Sequence, residues 1–287
     1  MSEPARIVNA STRTYTSNAC GVDFRLYVQP PMMEGPCPVI VSLDADLMFG
    51  AIAESINMLV AGAEIPPVLH VGIGYAASAD PTFVYSRRTL DFSPIEDTWH
   101  QDQLVASGMS IYGRIEGGGA PDLLSFIESE LLPWISSNYE TTDDRTLVGH
   151  SMGGLFANYV LLERSALFNR YVIGSPWLNW AFPDMFDREV AAAERSDQPS
   201  GRVLFVCGER EAELNPVLPD SMRELFGKAN ILELAKRMHR QLSARQYPGL
   251  ETQMVVMPLQ THFTGMLAGI PLGLKTVFSL AETHPQK

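Results

Sequence analysis

The run Gly149-His150-Ser151-Met152-Gly153-Gly154 is the stretch of this chain best suited to chemistry. A serine in the pattern G-x-S-x-G, set where a strand gives way to a helix, forms a nucleophile elbow. The turn admits only small neighbours, strains the serine backbone and lifts its hydroxyl clear of the sheet. The flanks fit that setting. Arg145-Thr146-Leu147-Val148 reads as the end of a buried strand, and Leu155 to Leu162 reads as a buried helix. A hydroxyl is a weak nucleophile until a base takes its proton, and the base needs a carboxylate to fix its tautomer. Where such groups are built on a sheet of this kind, they follow the order serine, acid, histidine.

The order selects few partners. His262 follows the last apolar strand, Glu251 to Met257, and is expected on a loop directly after it. His284 lies at the carboxyl end, and His239 falls inside a helical pattern, so His262 is the expected base. The acid belongs after the strand that ends at Gly208, where Glu209, Glu211 and Glu213 stand in a row. Glu211 is favoured, because the chain must leave the strand before a carboxylate can turn back towards His262. Glu209 is the alternative, and the remaining glutamates read as solvated charges.

The elements that must position these groups alternate along the chain. Residues 8–30 read as antiparallel edge strands, with Asp23 to Val28 the clearest. Pro38 to Leu43 is a continuous apolar strand running into Asp44-Ala45-Asp46, and a helix is expected over Ile52 to Ala61. A further buried strand spans Pro67 to Tyr75. Residues 76–119 show little periodicity and are expected to form a loop-rich segment covering the substrate. One helix over Asp122 to Tyr139 is expected, with Pro133 tolerated only at a break. After the elbow come a strand at Tyr171 to Pro176, a helix at Met185 to Arg195 and a strand at Arg202 to Gly208. A polar stretch follows, then a long helix from Asn230 to Tyr247 and a final helix near Leu272 to Leu280. This alternation from residue 38 onward predicts an α/β chain with a mostly parallel sheet. With no repeat and no linker, residues 1–287 are expected to form one domain, residues 177–200 contributing to a lid.

Composition narrows the partners. The chain has 287 residues, 46% of them hydrophobic and 19% charged, which is ample for a buried core. A net charge of -12 repels a phosphate backbone, so nucleic acid is not expected. No membrane segment is evident, and Met1 to Asn18 lacks the basic-then-apolar order of a leader, so a cytoplasmic location is expected. Cys20, Cys37 and Cys207 are odd in number and far apart, which fits a reducing compartment. The sequence says nothing of the oligomeric state.

Two further features bear on the substrate. Arg87 and Arg88 lie in the segment after a strand whose carboxyl end faces the expected site, where ligands meet open α/β sheets. Free guanidinium groups there would grip an anionic or oxygen-rich ester. The competing expectation is that Arg88 pairs with Asp91 or another carboxylate and ties the segment down. Trp177 and Trp180, just past a strand end, are expected to line an apolar pocket or to pack a loop.

The motifs together resemble the α/β-hydrolase "Putative esterase" family, which includes siderophore esterases of the enterobactin trilactone type. The resemblance rests on LDAD at Leu43 to Asp46, VGIGY at Val71 to Tyr75 and RRTLDFSP at Arg87 to Pro94. It continues through the glycines at Gly117 to Gly119, ESELLPWI at Glu128 to Ile135 and TLVGHSMGGLF at Thr146 to Phe156. GSPWLNW from Gly174, CGEREAE from Cys207 and THFTG from Thr261 complete it. It implies an α/β-hydrolase fold with a sheet of about eight strands, no metal and no organic cofactor. It also implies Ser151 as nucleophile, His262 as base and Glu211 as acid. The turn at Leu43 to Asp46 would supply an oxyanion N–H from Asp46, beside that of Met152. The family usually has glycine where this chain has Ala45. The expected activity is hydrolysis of a small carboxylic ester through an acyl-enzyme. Acyl transfer from the same intermediate and an inactive binding protein on this fold are the alternatives.

Overall fold

The structure is a computed structural model that describes residues 7–77, 80–110 and 114–279. Its framework is one eight-stranded sheet in the order β1-β2-β4-β3-β5-β6-β7-β8. The strands are β1 (Ser11–Ser17), β2 (Val22–Gln29), β3 (Cys37–Ser42), β4 (Leu69–Tyr75), β5 (Thr141–His150), β6 (Arg170–Gly174), β7 (Gly201–Arg210) and β8 (Leu250–Thr261). β1, β2 and β4 pair antiparallel, and every pairing from β4 to β8 is parallel.

Alternation of side chains along the central strands explains why helices cover both faces. Val39 and Val41 of β3, Leu147 of β5, Tyr171 and Ile173 of β6 and Phe205 of β7 enter one core. Their neighbours Ile40, Val148, Val172 and Leu204 enter the other. The second core is closed by α1 (Ala45–Ala61) through Met48, Ile52 and Ile56, and by α10 (His262–Ser279) through Ile270, Leu274 and Val277. The first is closed largely by α6 (Met152–Arg164), in which eleven consecutive residues from Met152 to Leu162 are buried.

Several expected boundaries shift. α1 begins at Ala45 rather than near Ile52, because Asp44 takes a left-handed conformation (φ 53°) that starts the helix straight after β3. The segment expected to be loop-rich carries two helices, α2 (Pro81–Phe92) and α3 (Thr98–Ala106). Each is opened by an aspartate. Asp80 accepts from the Thr82 and Phe83 N–H groups, and Asp97 accepts from the His100 N–H. The helix expected over Asp122 to Tyr139 is split into α4 (Ala120–Phe126), a π-helical turn at Ile127–Leu131 and α5 (Leu132–Asn138). The π turn ends just before Pro133, which has no N–H to offer the helix ladder. α7 (Asp184–Glu194) packs on α6, and the polar stretch before Asn230 holds α8 (Asp220–Ala229), ahead of α9 (Ile231–Arg245). His284 lies outside the described residues.

β3 is flanked by β4 on one side and β5 on the other, so the connections after β3 and β5 leave the sheet in different directions. A crevice opens at the carboxyl ends of two such strands. Asp44 and Ser151 stand there.

Candidate active site

Ser151 sits between β5 and α6 with φ 60° and ψ -121°, a conformation that a residue with a side chain adopts only at a cost. Its neighbourhood compels it. The Ser151 N–H donates to the Gly174 carbonyl at 2.9 Å, and the Ser151 carbonyl accepts from the Leu155 and Trp177 N–H groups. A Cβ on Gly149 would lie 2.2 Å from the Gly153 carbonyl oxygen, and one on Gly154 would lie 2.6 Å from that of Gly174. Those approaches leave no room for any residue but glycine at either position, and they fix the path of the turn.

His262 is the first residue of α10 rather than part of a loop, since β8 continues to Thr261. Its Nδ1 lies 2.7 Å from Glu211 Oε2. The ring is wedged edge-on against Trp177 and Phe226, with centroids 6.0 and 4.9 Å away. With Nδ1 engaged, Nε2 is the ring nitrogen left for a further partner.

Glu211 is the first residue after β7 and is buried. Its Oε1 accepts from Ser175 Oγ and from the Gly208 N–H, each at 2.6 Å. The neighbouring glutamates point elsewhere. Glu209 is exposed and accepts from the Leu259 N–H, and Glu213 pairs at the surface with Arg210.

His150 lies below the serine, buried, its ring centroid 4.7 Å from that of His262. Burial, the adjoining His262 and the Arg88 charge push it well below the ordinary histidine range, so it stays neutral.

A cavity of about 320 Å³ opens over Ser151 and His262. Met152, Trp177 and Trp180 line it together with Met48, Leu104 and Met109. α8, absent from the sequence-based expectation, contributes Met222, Leu225 and Phe226. Trp180 Nε1–H donates to the Ile95 carbonyl at 2.7 Å, and Asp97 Oδ2 accepts from the Ala181 N–H at 2.5 Å. Asp97 also holds His100 Nδ1 at 2.6 Å, and the His100 ring stacks on Trp180. Burial alone would raise the Asp97 carboxyl, but these hydrogen bonds outweigh it and hold it down to about 2. α7 contributes no described residue to the cavity, and of residues 177–200 it is Trp177 and Trp180 that line it.

Both arginines are engaged by carboxylates. Arg87 does not line the cavity, and its guanidinium is spent on Asp91 and on the Cys20 carbonyl. Arg88 lines it but donates from Nε and Nη2 to the two oxygens of Asp44, each at 2.7 Å. Of the partners expected for Arg88, Asp91 or another carboxylate, it is another carboxylate, Asp44, that it holds, while Asp91 belongs to Arg87. The Asp46 carboxylate turns away from the cavity, accepting from the Tyr27 hydroxyl and the Tyr75 N–H. Asp46 borders a separate hollow with Ile7, Tyr27 and Phe49. Leu47 and Met48 spend their N–H groups on the Asp44 carbonyl, so the N–H groups left over in this first turn of α1 are those of Ala45 and Asp46.

Ser175, Asp44 and His100 were not foreseen as members of the site. Asp44 and Ser175 did carry a signal, as small polar residues next to a strand end. Among the described residues no cluster of three His, Cys, Asp or Glu is gathered to hold a metal ion. None of the described helices is long and apolar enough to cross a membrane.

The "Putative esterase" family matches residues 17–254. The chain is similar to the ferri-bacillibactin esterase BesA of Bacillus subtilis, at 29% identity over 226 residues covering 73% of each chain. Its fold is similar to that of the BES protein from Bacillus cereus, with TM-score 0.76 and 22% identity over 96% of this chain and 97% of that one. It is also similar to the siderophore hydrolase EstA from Aspergillus nidulans, with TM-score 0.78 and 18% identity over 95% of both chains.

Proposed function

The chain belongs to the "Putative esterase" family and is an ester hydrolase, and from that premise we propose that Ser151, His262 and Glu211 carry the reaction through an acyl-enzyme. The reading is carried by the 2.7 Å contact of His262 Nδ1 with the buried Glu211, made on the wall of the cavity that Ser151 lines. Ser151 Oγ attacks the ester carbonyl carbon while His262 Nε2 takes its proton. The tetrahedral oxyanion is met by the N–H of Met152, with that of Asp46 opposite, at the amino ends of α6 and α1. Collapse breaks the bond to the alcohol, which leaves with the proton from His262. Water then attacks the acyl-enzyme with His262 again as base, and the acid departs. Glu211 holds the ring and offsets the imidazolium charge. α2 and α3 cover the substrate.

A fluorophosphonate probe tests this directly. Mass spectrometry of the folded protein is expected to find the adduct on Ser151, and the His262→Ala variant is expected to label far more slowly. An unlabelled Ser151 in folded protein overturns the mechanism and favours an inactive binding protein. Hydrolysis is distinguished from acyl transfer by measuring product partition with an added alcohol. The names of the relatives favour a second, narrower reading, in which the ester is of siderophore type. The free cysteines Cys20, Cys37 and Cys207 support action in the cytoplasm, to be checked by cell fractionation.

A further inference from the structure

The charge balance of the cavity decides what class of ester can enter. Arg88 is the only lysine or arginine among the described residues that line it, and Asp44 lines it too. The pair is closed on itself. The guanidinium gives Nε and Nη2 to the carboxylate, and Asp44 is 5% exposed, so the two charges largely cancel inside the wall. A substrate carboxylate could reach only Nη1 of this guanidinium and would share its charge with Asp44, leaving two carboxylates on one buried cation.

Most of the remaining lining is apolar, with Tyr85, Thr89, Ser151 and the three histidines His100, His150 and His262 as the polar members. Leu47 and Phe263 line the cavity while remaining 60% and 54% exposed, an unusual display for large hydrophobic side chains. Met109, Met222 and Met266 face the same space, and thioether side chains adapt to varied apolar shapes. The chain as a whole carries a net charge of -12, which opposes the approach of anions from a distance.

We propose that this cavity selects an uncharged ester whose bound group is apolar, and that it excludes esters bearing a carboxylate or other anion on that group. The inference rests on the esterase reading of the site and adds the substrate class to it. At roughly 30 Å³ for each water-sized group, 320 Å³ accommodates a bound portion of about ten non-hydrogen atoms. An eight-carbon chain or a substituted aromatic ring satisfies that size.

A matched pair of esters tests it: p-nitrophenyl octanoate and the p-nitrophenyl monoester of octanedioic acid, which differ only at the chain end. The neutral ester is expected to have a kcat/KM higher by about thirtyfold or more, because the other must bury a carboxylate against apolar wall. Equal or better turnover of the anionic ester overturns the proposal. Met222→Lys places a cation on the wall and is expected to cut that ratio by about tenfold, since it supplies the missing partner. Asp44→Asn, which frees Arg88, is expected to shift it the same way. Met222→Lys carries the test if Asp44→Asn does not fold, and an unchanged ratio in folded Met222→Lys overturns the proposal. A binding measurement separates this inference from the mechanism beneath it. Octanamide is expected to raise the melting temperature of the wild type more than octanoate does. If neither ester turns over and Ser151 is unlabelled, the catalytic reading fails, and the octanamide and octanoate shifts still decide the charge selection.

Discussion

Glu211 divides its carboxylate between two residues from different elements: Oε2 meets His262 Nδ1 at 2.7 Å, and Oε1 accepts from Ser175 Oγ at 2.6 Å. A carboxylate held on both sides cannot swing, so it fixes the imidazole as well as facing it. Glu211→Gln keeps the shape but turns an amide N–H₂ towards donors. A drop in kcat/KM of more than about tenfold is expected, with Glu209→Gln staying within about threefold. A steady-state assay on any turned-over ester decides between them, and a crippled Glu209→Gln would move the acid two residues upstream.

Ser175 Oγ reaches His262 by way of Glu211, so its removal separates holding from chemistry. Ser175→Ala is expected to lower kcat by about three- to tenfold at little change in KM, with Ser175→Thr recovering part of the loss. A rise in KM at constant kcat would assign Ser175 to substrate binding instead.

The Arg88–Asp44 pair predicts a stability effect. Arg88→Leu leaves a buried carboxylate without its partner and is expected to cost about 3–5 kcal/mol in urea unfolding. Adding Asp44→Asn removes that charge while keeping a residue that tolerates the left-handed backbone at this position. The double variant is therefore expected to regain most of the loss. A single variant as stable as the wild type would show that the pair is not energetically closed.

His70 predicts how stability depends on acidity. Its ring is buried, stacked on Phe49 with centroids 4.6 Å apart, and its Nε2 lies 2.8 Å from Ser42 Oγ. Burial pushes it down to about 3 from an ordinary value of 6.5. Between those values the unfolded chain binds the extra proton, so stability falls as the pH drops below 6.5 and goes on falling until the folded protein is protonated near 3. Going from about pH 7 to about pH 5, this residue is expected to remove about 2 kcal/mol. His70→Gln, compared with the wild type in urea titrations at the two pH values, should flatten that slope.

Local pattern reached the elbow and the sheet because both are written in consecutive residues. Gly149, Ser151 and Gly153 specify a turn by themselves, and the apolar runs from Val39 and from Val203 specify buried strands. Spacing from Gly208 favours Glu211 but leaves Glu209 as the alternative, and β7 runs two residues further than expected, to Arg210, which makes Glu211 the first residue free to turn back. What escaped was tertiary. Nothing near Arg88 in sequence announces Asp44, 44 residues away, and Asp91 is the closer carboxylate. α2, α3 and α8 escaped as well. The apolar residues of α2 and α3 form no broad stripe, and the Asp80 and Asp97 caps are the signals available, whereas Met222, Leu225, Phe226 and Ala229 of α8 do recur at helical spacing within a stretch read as polar.

The ties that Trp180 and Ala181 make to Ile95 and Asp97 join two parts of the cavity wall that are 85 and 84 residues apart in the chain. That side is already ordered before anything enters, its conformational entropy surrendered when the chain folded. A ligand pressed against it has only its own freedom to lose. Two neutral esters of equal apolar area, one rigid and one flexible, should therefore differ in affinity mainly by the rotors that the flexible one must freeze.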